Sequence, residues 1–189
     1  MKKKINKIKK EFQDAGFEAE SGDECFIPLK FYDDGNGNFD YDNYKELQNG
    51  LNKQKIGIKG PSFNRGTNIV KDIQKNIKNI KFGLCHGSRR GDEQNSLSKA
   101  LYCEVLGTDI ADSATDFPNS IQWDFHEIKD EWIDNVSFIY TNSIDHAYDP
   151  IRAIRNWMKC LHVTGCIYIE LGEDKDPHKK SKRTGKKLR

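Results

Sequence analysis

Residues Lys81 to Glu127 read KFGLCHGSRRGDEQNSLSKALYCEVLGTDIADSATDFPNSIQWDFHE. The run predicts a strand over Lys81–Cys85, a glycine-bearing turn, a helix over 92–102 and a second strand over Glu104–Asp109. A short strand near Ser120–Trp123 then delivers a further acid, Asp124. A glycine turn lets backbone approach a ligand, and the helix after it offers free N–H groups. An acid at the end of the second strand reaches ribose hydroxyls. In that order, the pieces imply a cofactor that contains adenosine.

Outward from this stretch the alternation continues. Val136–Thr141 (VSFIYT) predicts a buried strand, and Asp149-Pro150 supplies an N-cap and a first-turn proline for a helix. Ile151, Ile154, Trp157, Met158 and Leu161 are expected to form its apolar face. Gly165 is expected to precede a strand over Cys166–Leu171. Ile69, Ile73, Ile77 and Ile80 predict a helix running directly into the first strand. Strand–helix repetition of this kind predicts an α/β fold, a mostly parallel, doubly wound sheet with helices on both faces. Nearer the N-terminus, Ile5, Ile8 and Phe12 predict a basic helix over 2–15, and Phe26–Tyr32 an extended piece. Tyr44, Leu47 and Leu51 predict a helix over 42–54, ahead of a break at Gly60-Pro61.

The chain has 189 residues, 35% hydrophobic and 32% charged. It lacks an apolar run of the roughly 18 residues that a membrane span needs. MKKKINKIKKEF carries no apolar stretch of the secretory kind, and the five cysteines form no CxxC pair, so reduced thiols and a cytoplasmic location are expected. Seven of the last twelve residues, HKKSKRTGKKLR, are Lys or Arg. A solvated tail is the expected reading of that run, and no nucleic-acid partner is expected apart from it.

Three chain positions converge beyond the carboxyl ends of the predicted strands. They are the turn His86-Gly87-Ser88-Arg89-Arg90-Gly91, then Asp109 22 residues after Gly87, then Asp124-Phe125-His126. A dinucleotide pyrophosphate calls for GxGxxG with small residues, whereas CHGSRRG is bulky. Arg89 or Arg90 suits a ligand carboxylate and Glu93 an ammonium. That combination favours S-adenosylmethionine, whose tail is a zwitterion.

The runs CHGSRRGDEQ, VLGTDIADSATDFPNSIQWDFHE and EWIDNVSFIYTNSIDHAYDP, together with the WMKCL helix, resemble class I S-adenosylmethionine-dependent methyltransferases. They are most similar to a subgroup whose first motif reads C-H-G-x-R-x-G-x-E, and the likeness covers 39–173. It implies a Rossmann-like fold in which His86, Gly87, Arg89, Gly91 and Glu93 surround the methionine moiety. Asp109 and Ile110 then take the ribose position, Asp124 and Phe125 the adenine position, and Asn142 and Ser143 the end of the fourth strand near the methyl donor. Gly83 stands where many such enzymes carry an acid, so Glu93 is expected to take over ammonium binding. Only eighteen residues follow Leu171, so the sheet is expected to stop after its fifth strand. That leaves an edge which a partner copy in a homodimer, or the N-terminal helices, would cover. The expected division is an N-terminal helical extension over 1–61, a cofactor-binding core over 62–174 and a basic tail over 175–189.

Methyl transfer is an in-line displacement that needs orientation above all, with a base only when the acceptor must lose a proton. His146 is the candidate base, with Asp145 beside it. His126 is expected to support the adenine loop and His86 to shape the first turn. No ligand spacing argues for a metal site. Asn142-Ser143-Ile144-Asp145 is not the Asn/Asp-Pro-Pro-aromatic motif of enzymes that methylate nucleic-acid bases or protein glutamine. The expected acceptor is a small or glycan-like molecule. The alternative is a catalytically inactive protein of this fold acting as a partner-binding module.

Overall fold

A strand buried on both faces has to be apolar throughout, and VSFIYT meets that condition: all six residues are buried. The computed structural model, which describes residues 34, 36, 38–56 and 66–170, makes this segment the fourth of five strands. In chain order the elements are α1 (Tyr41–Ile56), α2 (Gly66–Asn76), β1 (Phe82–His86), α3 (Asp92–Leu101), β2 (Glu104–Asp109), β3 (Ser120–Gln122), β4 (Val136–Thr141), α4 (Pro150–Cys160) and β5 (Leu161–Ile169). The predicted helix over 2–15, the extended piece over 26–32, the Gly60-Pro61 break and the basic tail lie outside the described residues.

The sheet has the order β3-β2-β1-β4-β5, and every pairing is parallel. Pleating sends alternate residues of each strand to opposite faces. Cys85, Phe138 and Tyr140 therefore meet Ile73 of α2 and Leu97 and Leu101 of α3 in one cluster. Leu84 and Ile139 meet Ala153, Trp157 and Cys160 of α4, with Phe125 and Trp132, on the other face. This is a Rossmann-like α/β fold with helices on both faces. Its strand order reverses beside β1, which opens a crevice at the carboxyl ends of β1 and β4.

The chain divides into two compact units, Met1–Ile58 and Lys59–Arg189, and the sheet belongs to the second. In the first, Asp40 Oδ1 accepts from the Asn43 amide at 3.0 Å and caps α1. Phe39, Tyr41 and Tyr44 gather their rings within 5.8–6.4 Å of one another.

Three local expectations are corrected. Helix α2 stops at Asn76, so Ile77 and Ile80 lie in the link to β1, where Ile77 still donates to the Ile73 carbonyl at 2.9 Å. The inward stripe of α4 is Ala153, Trp157 and Cys160, while Ile151 and Met158 are each 63% exposed. Small residues at 153 and 160 bring the helix close to the sheet around one large side chain. Finally, β5 starts at Leu161 rather than Cys166. Val136 pairs with Leu161 and Phe138 with Cys166, so Gly165 sits in a strand irregularity and not ahead of the strand.

Gly83 has a packing explanation. A Cβ there would run into the Phe138 ring, so the position has no room for a side chain unless that ring moves.

Candidate functional site

The turn after β1 is built from backbone. The amides of Gly87 and Ser88 both donate to the Thr108 carbonyl, at 2.8 and 3.0 Å. Gly87 has φ +73°, and a Cβ there would lie 2.5 Å from the Ser143 side chain. Arg89 is also left-handed, at φ 44°, and Gly91 precedes α3 at φ +80°. The Arg89 conformation is held by its amide, which donates to Asp109 Oδ2 at 2.9 Å. The other Asp109 oxygen accepts from the Ala111 amide at 3.0 Å. Asp109, 5% exposed, thus bridges the glycine turn and the segment after β2 with no ligand needed. Ile110 is half-buried beside it.

β1 and β4 are joined at their ends. His86 pairs in register with Thr108 on one side and Thr141 on the other. The buried Thr141 hydroxyl donates to the His86 carbonyl at 3.0 Å and accepts from the Ser143 amide at 3.1 Å. Asn142 Nδ2 donates to Glu93 Oε1 at 3.4 Å, which brings the first turn of α3 to the loop after β4. Burial raises the Glu93 carboxyl above its ordinary range, and the Asn142 bond works against that shift. The same carboxylate adds to the burial that raises the Cys85 thiol, so it lies near the end of β1. Asp145 and His146 follow in the turn Ile144–His146, both exposed, with the His146 amide donating to the Ser143 carbonyl at 3.1 Å.

The Asp124-Phe125-His126 segment is fastened to α4 and to the chain leading into it. Trp157 Nε1 donates to the Phe125 carbonyl at 2.7 Å, and Asn156 Nδ2 to the His126 carbonyl at 2.6 Å. Asp124 Oδ1 receives the His126 amide at 2.9 Å, and Tyr148 donates to Oδ2 at 3.2 Å. The Phe125 ring is 8% exposed and crosses Trp157 edge-on at 5.7 Å, so it belongs to the interior cluster.

His86 also turns inward. Its ring is 2% exposed, stacks on Trp157 at 5.0 Å and meets Thr108 Oγ1 through Nδ1 at 2.8 Å. What His86 offers the crevice is backbone. Burial lowers its pKa to about 3, the nearby His126 adds to the shift, and Asp124 opposes it. A buried neutral histidine gains protons on unfolding, so its contribution is complete above the unfolded value near 6.5 and is lost as pH falls toward 3. Between pH 7 and pH 4.5 the group should cost the fold about 2–3 kcal/mol. Urea titrations of wild type and His86→Gln at both pH values should show a smaller pH-dependent loss in the variant.

Among the sequence-predicted residues, Gly87, Arg89, Gly91, Glu93, Asp109, Asn142 and Ser143 come together around the ends of β1, β2 and β4. Asp124 lies in the loop after β3, and Asp145 and His146 in an exposed turn. Thr108, Thr141, Tyr148 and Asn156 hold this framework and were missed, while Trp157 was expected on the apolar face of α4 but not in its bond to the Phe125 carbonyl. Threonines at or next to the last residue of two inner strands were a legible signal; the α4 contacts were not. Tyr140 was missed as well: its hydroxyl donates to Glu170 Oε2 at 2.8 Å at the ends of β4 and β5. Among the described residues no group of three or more His, Cys, Asp or Glu side chains is placed to hold a metal ion. None of their helices is long and apolar enough to cross a membrane.

No protein-family model matches the chain, and no curated protein matches it. Similar solved structures include a protein from Methanococcus maripaludis assigned as an S-adenosyl-L-methionine-dependent methyltransferase, at 18% identity and TM-score 0.49, covering 82% of this chain and 68% of its own. A sugar N-methyltransferase from Streptoalloteichus is similar at 15% identity and TM-score 0.48, covering 83% of this chain and 60% of its own. A SAM-dependent methyltransferase from Aquifex aeolicus matches at 15% identity and TM-score 0.42, covering 66% of this chain and 68% of its own. Against the sugar enzyme, then, this chain spans less than two thirds of the length. Likeness at this level carries no argument about chemistry, which has to come from the site.

Proposed function

We propose that the protein is an S-adenosylmethionine-dependent methyltransferase acting on a small or glycan-like acceptor. The observation that carries this reading is the Asp109 carboxylate at the end of β2, which fastens the bulky CHGSRRG turn through the Arg89 amide at 2.9 Å. The three carboxylates and the turn suit the group's parts. Asp109 would take the ribose hydroxyls, Arg89 or Arg90 the carboxylate and Glu93 the ammonium of the methionine tail, and Asp124 the nucleobase. A side chain at Gly87 would fill the approach between the turn and Ser143. The bound cofactor supplies an electrophilic methyl group on a sulfonium.

This chain's residues orient that group. Asn142 and Ser143 line the end of β4 beside Glu93, and His146 with Asp145 stands at the exposed side, where an acceptor proton would leave. The second reading, a cofactor-binding module without activity, is favoured by the exposure of both Asp145 and His146. Incubation with methyl-labelled S-adenosylmethionine and a panel of amino and hydroxyl acceptors separates the two. Label transfer that falls by about tenfold in His146→Ala supports the enzyme with that base. Cofactor binding without transfer to any acceptor supports the module.

A further inference from the structure

The hydrogen bonds around Asp124 have directions that can be read from their ends. The backbone amide of Asp149 can only donate, and it points at His126 Nε2 across 3.2 Å. Nε2 is therefore the acceptor nitrogen, and the ring proton sits on Nδ1. Nδ1 lies 2.6 Å from Asp124 Oδ1, so the histidine donates to the carboxylate. The ring is fully buried, and the Tyr148 ring stacks on it at 3.6 Å and 24°. From that stacked position the Tyr148 hydroxyl reaches the second oxygen, Oδ2. Asp124 is thus gripped at both oxygens, by His126 on one and Tyr148 on the other. Both grips are anchored in the segment entering α4, which follows the loop carrying Asn142–His146.

We infer that His126 and Tyr148 are positioning residues that fix the Asp124 carboxylate as an acceptor for the exocyclic amino group of the nucleobase, setting selection for a 6-amino over a 6-oxo purine. The inference rests on the cofactor reading above. A carboxylate held at both oxygens cannot rotate away from a poorly matched edge. A 6-oxo purine turns a carbonyl oxygen toward it and meets repulsion in place of a hydrogen bond. Released at Oδ2, the same carboxylate can swing to relieve that repulsion, and selection falls.

The test compares S-adenosylhomocysteine with its 6-oxo analogue by calorimetry on wild type and Tyr148→Phe, which keeps the stacked ring and deletes the hydroxyl. The ratio of the two dissociation constants should fall by about tenfold in the variant. A lower Tm with an unchanged ratio would mean that Tyr148 only ties the loop to α4, and would overturn the inference. Long-range ¹⁵N–¹H spectra of the ligand-free wild type test the clamp separately: the proton should be on Nδ1 of His126, and a proton on Nε2 overturns it. If the folded protein binds neither ligand, the cofactor reading and the selection both fail, while the spectra still report whether the clamp exists.

Discussion

Asp109→Ala is expected to weaken S-adenosylhomocysteine binding by about 100-fold or more, equivalent to about 3 kcal/mol. Two losses combine. The ribose hydroxyls lose a charged acceptor, worth about 1.5–3 kcal/mol in such bonds. The amides of Arg89 and Ala111 also lose the oxygens that hold them at 2.9 and 3.0 Å. Arg89 sits at φ 44°, which a residue with a side chain adopts rarely and at a cost. Without its acceptor the CHGSRRG turn should relax, so the methionine end of the site suffers together with the ribose end. Asp109→Asn separates the parts, because one amide oxygen can still accept from the turn; an intermediate loss is expected. Calorimetric titration measures all three proteins. Equal affinity in wild type and Asp109→Ala would remove Asp109 from the site.

The largest effect on stability is expected at Trp157. It is 1% exposed, stacks on His86 at 5.0 Å, crosses Phe125 at 5.7 Å and donates to the Phe125 carbonyl at 2.7 Å. Trp157→Ala should cost about 3–5 kcal/mol, the range for deleting a large aromatic side chain from a core. A fall in Tm of about 10 °C or more follows from a loss of that size. Trp157→Phe keeps an aromatic ring but drops the bond and part of the volume, so a smaller loss is expected, with the Phe125 carbonyl left unpaired. A thermal melt of Trp157→Ala within 2–3 °C of wild type would contradict the packing described for α4.

Much of this architecture was legible because local chemistry and tertiary need agree there. The glycine turn, the acid closing β2 and the Asp149-Pro150 start of α4 are signals that a few neighbouring residues complete: the Asp149 side chain does accept from the Arg152 amide, at 2.9 Å. The parallel pairing follows from strand–helix alternation, whereas the strand order does not. What was not legible depends on contacts between distant segments. Tyr148 meets Asp124 across 24 residues, and nothing near either residue announces it. The inward stripe of α4 was misread because Ile151 and Met158 are more apolar than Ala153 and Cys160, yet close approach to the sheet favours the smaller pair. The inward turn of His86 was within reach, since strand alternation sets it on the face of Leu84, opposite Cys85.

The crevice beyond β1, β2 and β4 is proposed to take S-adenosylmethionine rather than a dinucleotide. The most direct test of that assignment is calorimetry of the folded wild-type protein against S-adenosylhomocysteine and, in a matched cell, NAD. One equivalent of S-adenosylhomocysteine should bind with a dissociation constant on the order of micromolar, and NAD should give no binding heat. Binding of NAD, or no binding of S-adenosylhomocysteine by protein shown to be folded, would contradict it.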